Sequence, residues 1–221
     1  MEHGRHRSPR AASGPVNLDA GARLTREFFD RSPDEVAYDL VGSVLLLRDR
    51  DQELRALVVE TEAYGGLDDP ASHAYRGPTR RCEVMFGPPG MLYVYRIYGL
   101  HWCMNVVTED TGTASAVLLR AAEQCAPFDE ALQPTAGRVQ LAGPGNLTRG
   151  LGVTGADNGI DCCGDSLGRV EFYQGATFDP GLVGRSPRIG ISKGRERLSR
   201  YFLAGHPAVT RTPGDSGAGT R

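Results

Sequence analysis

Two β-rich runs, Met91–Ile97 and His101–Thr108, are separated only by Tyr98-Gly99-Leu100. Three residues cannot make a crossover, so the runs must pair as an antiparallel hairpin. Tyr93 and Tyr95 then share one face of the first strand, and Tyr98 stands at the tip. A second hairpin is expected upstream from Ser43–Arg48 and Leu54–Tyr64, and its second strand ends in Glu60-Thr61-Glu62-Ala63-Tyr64. Strand parity sends Glu60 and Glu62 to the same face.

The remaining elements follow from local signals. Ser32-Pro33-Asp34-Glu35 reads as a helix start, with Ser as N-cap, Pro at the first helical position and Glu closing a capping box; Val36, Leu40 and Val41 follow, up to Gly42. Further strands are expected near Ala116–Arg120 and at Val170–Tyr173, Ile189–Ser192 and Arg200–Ala204, with a short helix near Asn146–Leu151. Residues 65–90 are rich in Gly and Pro, and a loop of that length in a compact domain is usually functional. No repeat or linker divides the chain, so the expectation is an α+β single domain over 21–211, dominated by antiparallel strands. The Arg-, Pro-, Ser-, Gly- and Ala-rich residues 1–20 and the stretch 212–221 are expected to be disordered tails.

A length of 221 residues with 40 % hydrophobic and 24 % charged residues matches an ordinary globular chain. No apolar run reaches the roughly 18 to 20 residues of a bilayer span, and the start MEHGRHRSPRAASG lacks a signal peptide's apolar stretch. The expected location is intracellular, and cytoplasmic at the nucleoid in a bacterium. Five cysteines form no C-x-x-C pair, and Cys162-Cys163 has no neighbouring Cys or His to complete a tetrahedral site, so no metal is expected. The net charge of −2 conceals an asymmetry: residues 27–69 hold twelve carboxylates against four Arg, whereas 182–211 hold six Arg and Lys193, the only lysine, against Glu196. That run is either one basic face toward a polyanion or an ordinary solvated surface.

Glu60 and Glu62 could form an acid/base pair of the kind used in sugar hydrolysis, or could be ordinary charged residues at a strand end. Tyr64, His73, Tyr75, Tyr93, Tyr95 and Tyr98 fall close together, beside Arg76, Arg80 and Arg81. Rings beside guanidiniums suit a site that stacks a flat base and holds its phosphates; alternate tyrosines also suit half-buried strand packing. Gly87-Pro88-Pro89-Gly90 and Gly143-Pro144-Gly145 are poor phosphate cradles, because proline removes the N–H donors. The sequence holds no H-E-x-x-H or Walker pattern. Cys103 lies in an apolar strand, where a thiol is usually inert.

Val59-Glu60-Thr61-Glu62-Ala63-Tyr64, Ala71-Ser72-His73-Ala74-Tyr75-Arg76-Gly77, Met85-Phe86-Gly87-Pro88-Pro89-Gly90, Tyr93-Val94-Tyr95-Arg96-Ile97-Tyr98-Gly99, Cys103-Met104-Asn105-Val106-Val107 and Leu118-Leu119-Arg120 follow one another in the chain. In types and order they closely resemble the alkyladenine (3-methyladenine) DNA glycosylase family. The resemblance spans roughly Leu24 to Pro207, including Gly143-Pro144-Gly145-Asn146-Leu147-Thr148 and Pro187-Arg188-Ile189-Gly190-Ile191. It departs at Cys82, where Asn usually follows Arg, and at Leu198-Ser199, where a Trp is common before Arg200.

The resemblance implies a curved antiparallel sheet with flanking helices and a protruding β-hairpin, with no metal or organic cofactor. The expected partner is double-stranded DNA that carries a damaged purine, with no membrane and a monomeric protein. Glu62 would be the general base that activates water, and Arg120 with the Ile189 carbonyl would hold that water. Tyr64, His73 and Tyr95 would line the pocket for a flipped base. Asn105 would screen out normal purines, unless it is an amide that satisfies a nearby backbone group. Tyr98 would be the wedge in the duplex, and Arg76, Arg81, Lys193 and Arg195 would contact phosphates. Monofunctional hydrolysis of the N-glycosidic bond is expected, since Lys193 sits in a loop rather than a desolvated pocket. Two rivals are a non-catalytic damage binder, which would lack Glu62 or Arg120, and a hydrolase of free nucleosides or sugars using both carboxylates.

Overall fold

The computed structural model describes residues 21–49, 52–125 and 139–211; both expected tails lie outside the described residues. One turn of helix, α1 (Arg26–Phe29), leads into α2 (Pro33–Leu40). The Ser32 hydroxyl caps α2 by accepting from the Glu35 amide and donating to the Glu35 carboxylate, with Pro33 in the first turn. Val36, Ala37 and Leu40 face the core.

The strands are β1 (Val44–Asp49), β2 (Gln52–Tyr64), β3 (Leu92–Ile97), β4 (His101–Thr108), β5 (Ser115–Cys125) and β6 (Val139–Leu141). After them come helix α3 (Pro144–Leu151) and strands β7 (Val170–Tyr173), β8 (Val183–Ser186) and β9 (Arg200–Leu203). Every ladder is antiparallel, in the order β3-β4-β5-β2-β1-β7, with β6 on β5 and β8 on β9. The sheet curls into a half-barrel, giving the α+β fold. β1 pairs with the first half of β2, and β9 takes over at Glu60–Glu62. α2 packs across β2 and β5, and α3 against β4 and β5. Phe29 closes the core beside Phe172, ring centroids 5.6 Å apart.

Ile189–Ser192, expected as a strand, is an irregular loop. Gly190 and Gly194 hold left-handed backbone there (φ +77 and +61), which interrupts a ladder. The strand in this region is β8, masked in the sequence by its Gly184. The β3–β4 tip protrudes as expected: Tyr98 is 89 % and Leu100 74 % exposed. Tyr98 and Gly99 both have positive φ, and the Leu100 amide closes the turn on the Ile97 carbonyl at 3.0 Å. That backbone is easy for glycine and strained for tyrosine.

Candidate active site

Opposed residues in antiparallel strands point to the same face. The pairs Tyr93–Asn105, Asn105–Leu118 and Leu118–Glu62 therefore align four side chains across β3, β4, β5 and β2. Tyr95–Cys103 and Tyr64–Ala116 extend the same face. Their alternates, Val94, Met104, Val106, Val117, Leu119 and Ala63, belong to the core. The loop after β2 contributes Ser72 and His73, and the loop before β9 contributes Ile189 and Lys193. Together they enclose a cavity of about 470 Å³, within the size range of small-ligand sites.

Glu62 is wholly buried beside this cavity. Its Oε1 accepts from the Ile189 amide at 2.6 Å and pairs with Arg120 Nη1 at 3.2 Å, while its Oε2 accepts from the Tyr64 hydroxyl at 2.8 Å. All three partners line the cavity. Burial raises the Glu62 pKa; Arg120, the Ile189 amide and Tyr64 oppose that rise without cancelling it. Burial and the Glu62 charge push the Tyr64 hydroxyl well up, so Tyr64 stays a donor. Burial also works against the Arg120 charge, but Glu62 and Glu60 outweigh it and raise its pKa.

Register irregularities deliver Arg120 to this spot. Val58 opposes Ala122, Glu60 opposes Ala121 and Thr61 opposes Leu119, which leaves Val59 and Arg120 without a counterpart. Glu60 is buried as completely as Glu62. Its Oε1 accepts from Arg120 Nε at 2.9 Å and Arg200 Nε at 2.7 Å, and its Oε2 from the Thr210 amide and hydroxyl, both at 3.0 Å. Surrounded by donors, Glu60 is an internal counter-ion and not half of a cavity-facing acid/base pair.

The aromatic lining is a packed set. Tyr93 and Tyr95 stack with centroids 5.3 Å apart, His73 meets Tyr95 edge-on at 4.5 Å, and His73 Nδ1 shares a hydrogen bond of 2.9 Å with the Tyr93 hydroxyl. Burial lowers the His73 pKa and raises those of both tyrosines, which keeps these rings uncharged. Asn105 lines the cavity, and its Nδ2 donates to the Tyr93 carbonyl at 3.0 Å.

Tyr98 stands at the cavity rim, and Lys193, Arg195 and Arg76 are exposed. Arg81 is tied back, its guanidinium 5.2 Å from the Tyr95 centroid and its Nη2 donating to the Arg96 carbonyl. The basic run of 182–211 is split: Arg188 and Arg200 are buried ion-pair partners and cannot belong to a basic face. At the two departures, Cys82 is buried with its sulfur 3.1 Å from the Thr79 hydroxyl, and Leu198 is half exposed.

Sequence reasoning missed Asp69 and Arg188, which join the two loops over the cavity. Arg188 binds both carboxylate oxygens of Asp69, donates to the Ala63 carbonyl and lies 4.6 Å from the Tyr64 ring centroid. Asp69 also accepts from the Gly65 and Ala71 amides. The only available signal was an Asp in a Gly- and Pro-rich loop, and that pattern is common.

The profile of the methylpurine-DNA glycosylase family matches residues 27–207. The chain is 43 % identical over 211 residues to a protein of Rhodopseudomonas palustris (strain BisB18), covering 89 % of this chain and 95 % of the relative. It is 45 % identical over 195 residues to one of Frankia casuarinae, covering 83 % and 90 %. An Anaeromyxobacter sp. (strain Fw109-5) protein is 45 % identical over 197 residues, covering 87 % and 95 %. Each is provisionally named a 3-methyladenine DNA glycosylase. With the profile covering most of the chain and relatives this similar along nearly their whole length, the chain belongs to the methylpurine-DNA glycosylase family.

Proposed function

We propose that the chain removes alkylated or deaminated purines from duplex DNA by hydrolysing the N-glycosidic bond, with water activated by Glu62. The observation that carries this reading is the Glu62 carboxylate, gripped by three cavity-lining groups beside a cage of neutral rings. The family and the substrate class in the relatives' names support it.

A base inside a duplex cannot reach such a cavity, so the nucleotide must be flipped out at a cost of about a few kcal/mol of lost stacking. Tyr98, exposed at the hairpin tip, fills the gap, and the aromatic cage offsets part of the remainder. Cationic alkylpurines gain further from the π faces. As the bond to the base breaks, its electron pair leaves with the base and positive charge builds on the sugar. Glu62 stabilises that charge and takes a proton from the water that adds to C1′. Arg120, with the Ile189 carbonyl, holds the water. Arg76, Arg81, Lys193 and Arg195 contact phosphates, and Arg81 does so by swinging off Tyr95. All the groups invoked lie on one copy of the chain, which supports a monomer as the working unit.

Release of free methylated purines from methylated duplex DNA tests the reading. If the duplex is untouched while free nucleosides are cleaved, the protein is a small-substrate hydrolase. Tyr98→Ala should weaken binding to a lesion duplex while leaving Tm nearly unchanged, because the side chain contributes little to the core. A large drop in Tm with normal excision would make Tyr98 a turn residue only.

Asn105 presents an amide to the cavity, where the 2-amino group of guanine would clash or be buried without a partner. Asn105→Ser should therefore gain guanine release from undamaged duplex, with smaller changes on alkyladenine. A parallel fall of all activities would leave Asn105 only its bond to Tyr93. A lyase needs a desolvated amine to form a Schiff base; Lys193 lines the cavity but is exposed to solvent, so borohydride should trap no enzyme–DNA adduct. A trapped adduct would contradict monofunctional hydrolysis.

A further inference from the structure

We propose that Glu60 is a positioning residue for base excision, acting on Glu62 through Arg120; the proposal rests on Glu62 being the general base. The four side chains form one buried chain of contacts, Glu62–Arg120–Glu60–Arg200, of two carboxylates and two guanidiniums. Isolated buried charges are unfavourable, and a set like this persists where each member has donors or acceptors matched to it.

Glu60 satisfies that condition on every side. Arg200 holds it at Oε1 and is itself fixed by the Ser186 hydroxyl, at 2.8 Å, and by the Thr210 carbonyl, at 2.5 Å. Thr210 holds Oε2 through its amide and hydroxyl. Its carboxylate is thereby fixed, and Arg120 Nε is docked on it.

The consequence falls on Glu62. A guanidinium offers a planar fork of donors that prefers to grip one carboxylate with two parallel bonds. With Nε held by Glu60, Arg120 reaches Glu62 through Nη1 alone, at 3.2 Å. Deprived of Glu60, Arg120 is free to turn its fork onto Glu62 and occupy the lone pairs that must receive the proton from water. Glu60 thus keeps Arg120 close enough to hold Glu62 ionised and far enough to leave it basic. Glu60 itself does not line the cavity, so it should affect the rate of bond cleavage and not affinity for the lesion.

The test is a double-mutant cycle on the full chain, read by single-turnover excision and by affinity for a lesion duplex. Glu60→Gln should slow excision at least about tenfold, a loss of the size that displacement of a group near the reacting atoms produces. Lesion affinity should stay within about threefold, and Glu60→Asp, which keeps the charge, should recover part of the rate. In an Arg120→Gln background, the Glu60 substitution should cost less than about twofold more, because the residue it acts through is gone. If Glu60→Gln does not fold, Glu60→Asp carries the same cycle. Equal losses in both backgrounds, or an unchanged rate in the Arg120-containing protein, overturn the proposal. Glu62→Gln is run alongside: its retention of excision overturns the reading of Glu62 as base, whereas its failure with an additive cycle overturns only the role of Glu60.

Discussion

Glu62→Gln should lower single-turnover excision by at least about 10²-fold, the usual contribution of a general base, and leave DNA binding and folding intact. The amide oxygen can take the place of Oε1 and keep the contacts to the Ile189 amide and Arg120. The amide nitrogen then faces the Tyr64 hydroxyl, which can rotate to accept. What is lost is the capacity to take a proton. The wild-type rate should also carry an acidic limb above the ordinary carboxylate range, because burial raises the Glu62 pKa. The working form is unprotonated, so excision falls as pH drops through that raised value, and the variant should lack the limb. Excision by Glu62→Gln within tenfold of wild type would reject the assignment.

Asp69→Ala should be strongly destabilising. It leaves the Arg188 guanidinium, whose side chain has no exposed surface, without its carboxylate. Removing one partner of a buried ion pair costs about 3–5 kcal/mol, which for a chain of this size lowers Tm by roughly 10 °C. Two loops lose their common anchor at once: the Gly65 and Ala71 amides on one side, and the segment carrying the Ile189 amide on the other. Excision should fall as well. The pair also has a pH signature. Burial raises the Asp69 pKa, but Arg188 and the amides outweigh it and hold the group below its usual value. Its contribution is therefore present above the unfolded pKa and lost as pH falls through the folded one. Combining Asp69→Ala with Arg188→Met removes the stranded charge and should restore part of the stability. A Tm within two degrees of wild type for Asp69→Ala alone would show the pair to be inessential.

Strand parity made much of this site legible. The alternation in Leu92–Ile97 and His101–Thr108 already separates Tyr93, Tyr95, Cys103 and Asn105 from Val94, Met104 and Val106, and the structure uses that division to build a cavity on one face and a core on the other. The cap at Ser32 and the exposed tip at Tyr98 were equally local signals. What parity alone could not give was the difference between Glu60 and Glu62. Both lie on β2 two residues apart, yet their fates are set by Arg120, Arg200 and Thr210, the last two some 140 and 150 positions away. Displacements in register at Val59 and Arg120 have no sequence mark. The loop before β9 misled for a related reason: Ile189 and Ile191 look like strand residues, but their glycine neighbours bend the backbone so that an amide reaches Glu62. Its arginines posed the same problem, since charge count cannot tell a phosphate ligand from a buried partner such as Arg188.

The cavity is expected to release a damaged purine from duplex DNA and leave the strand uncut. The most direct measurement places one alkylated or deaminated purine at a known position in an end-labelled duplex, with enzyme in excess, and compares strand length before and after alkali. The expected result is an intact strand before alkali, a single break at the lesion after it, and almost no break with Glu62→Gln. A lesion strand that survives alkali intact across such alkylated and deaminated purines, or a break already present before alkali, would contradict it.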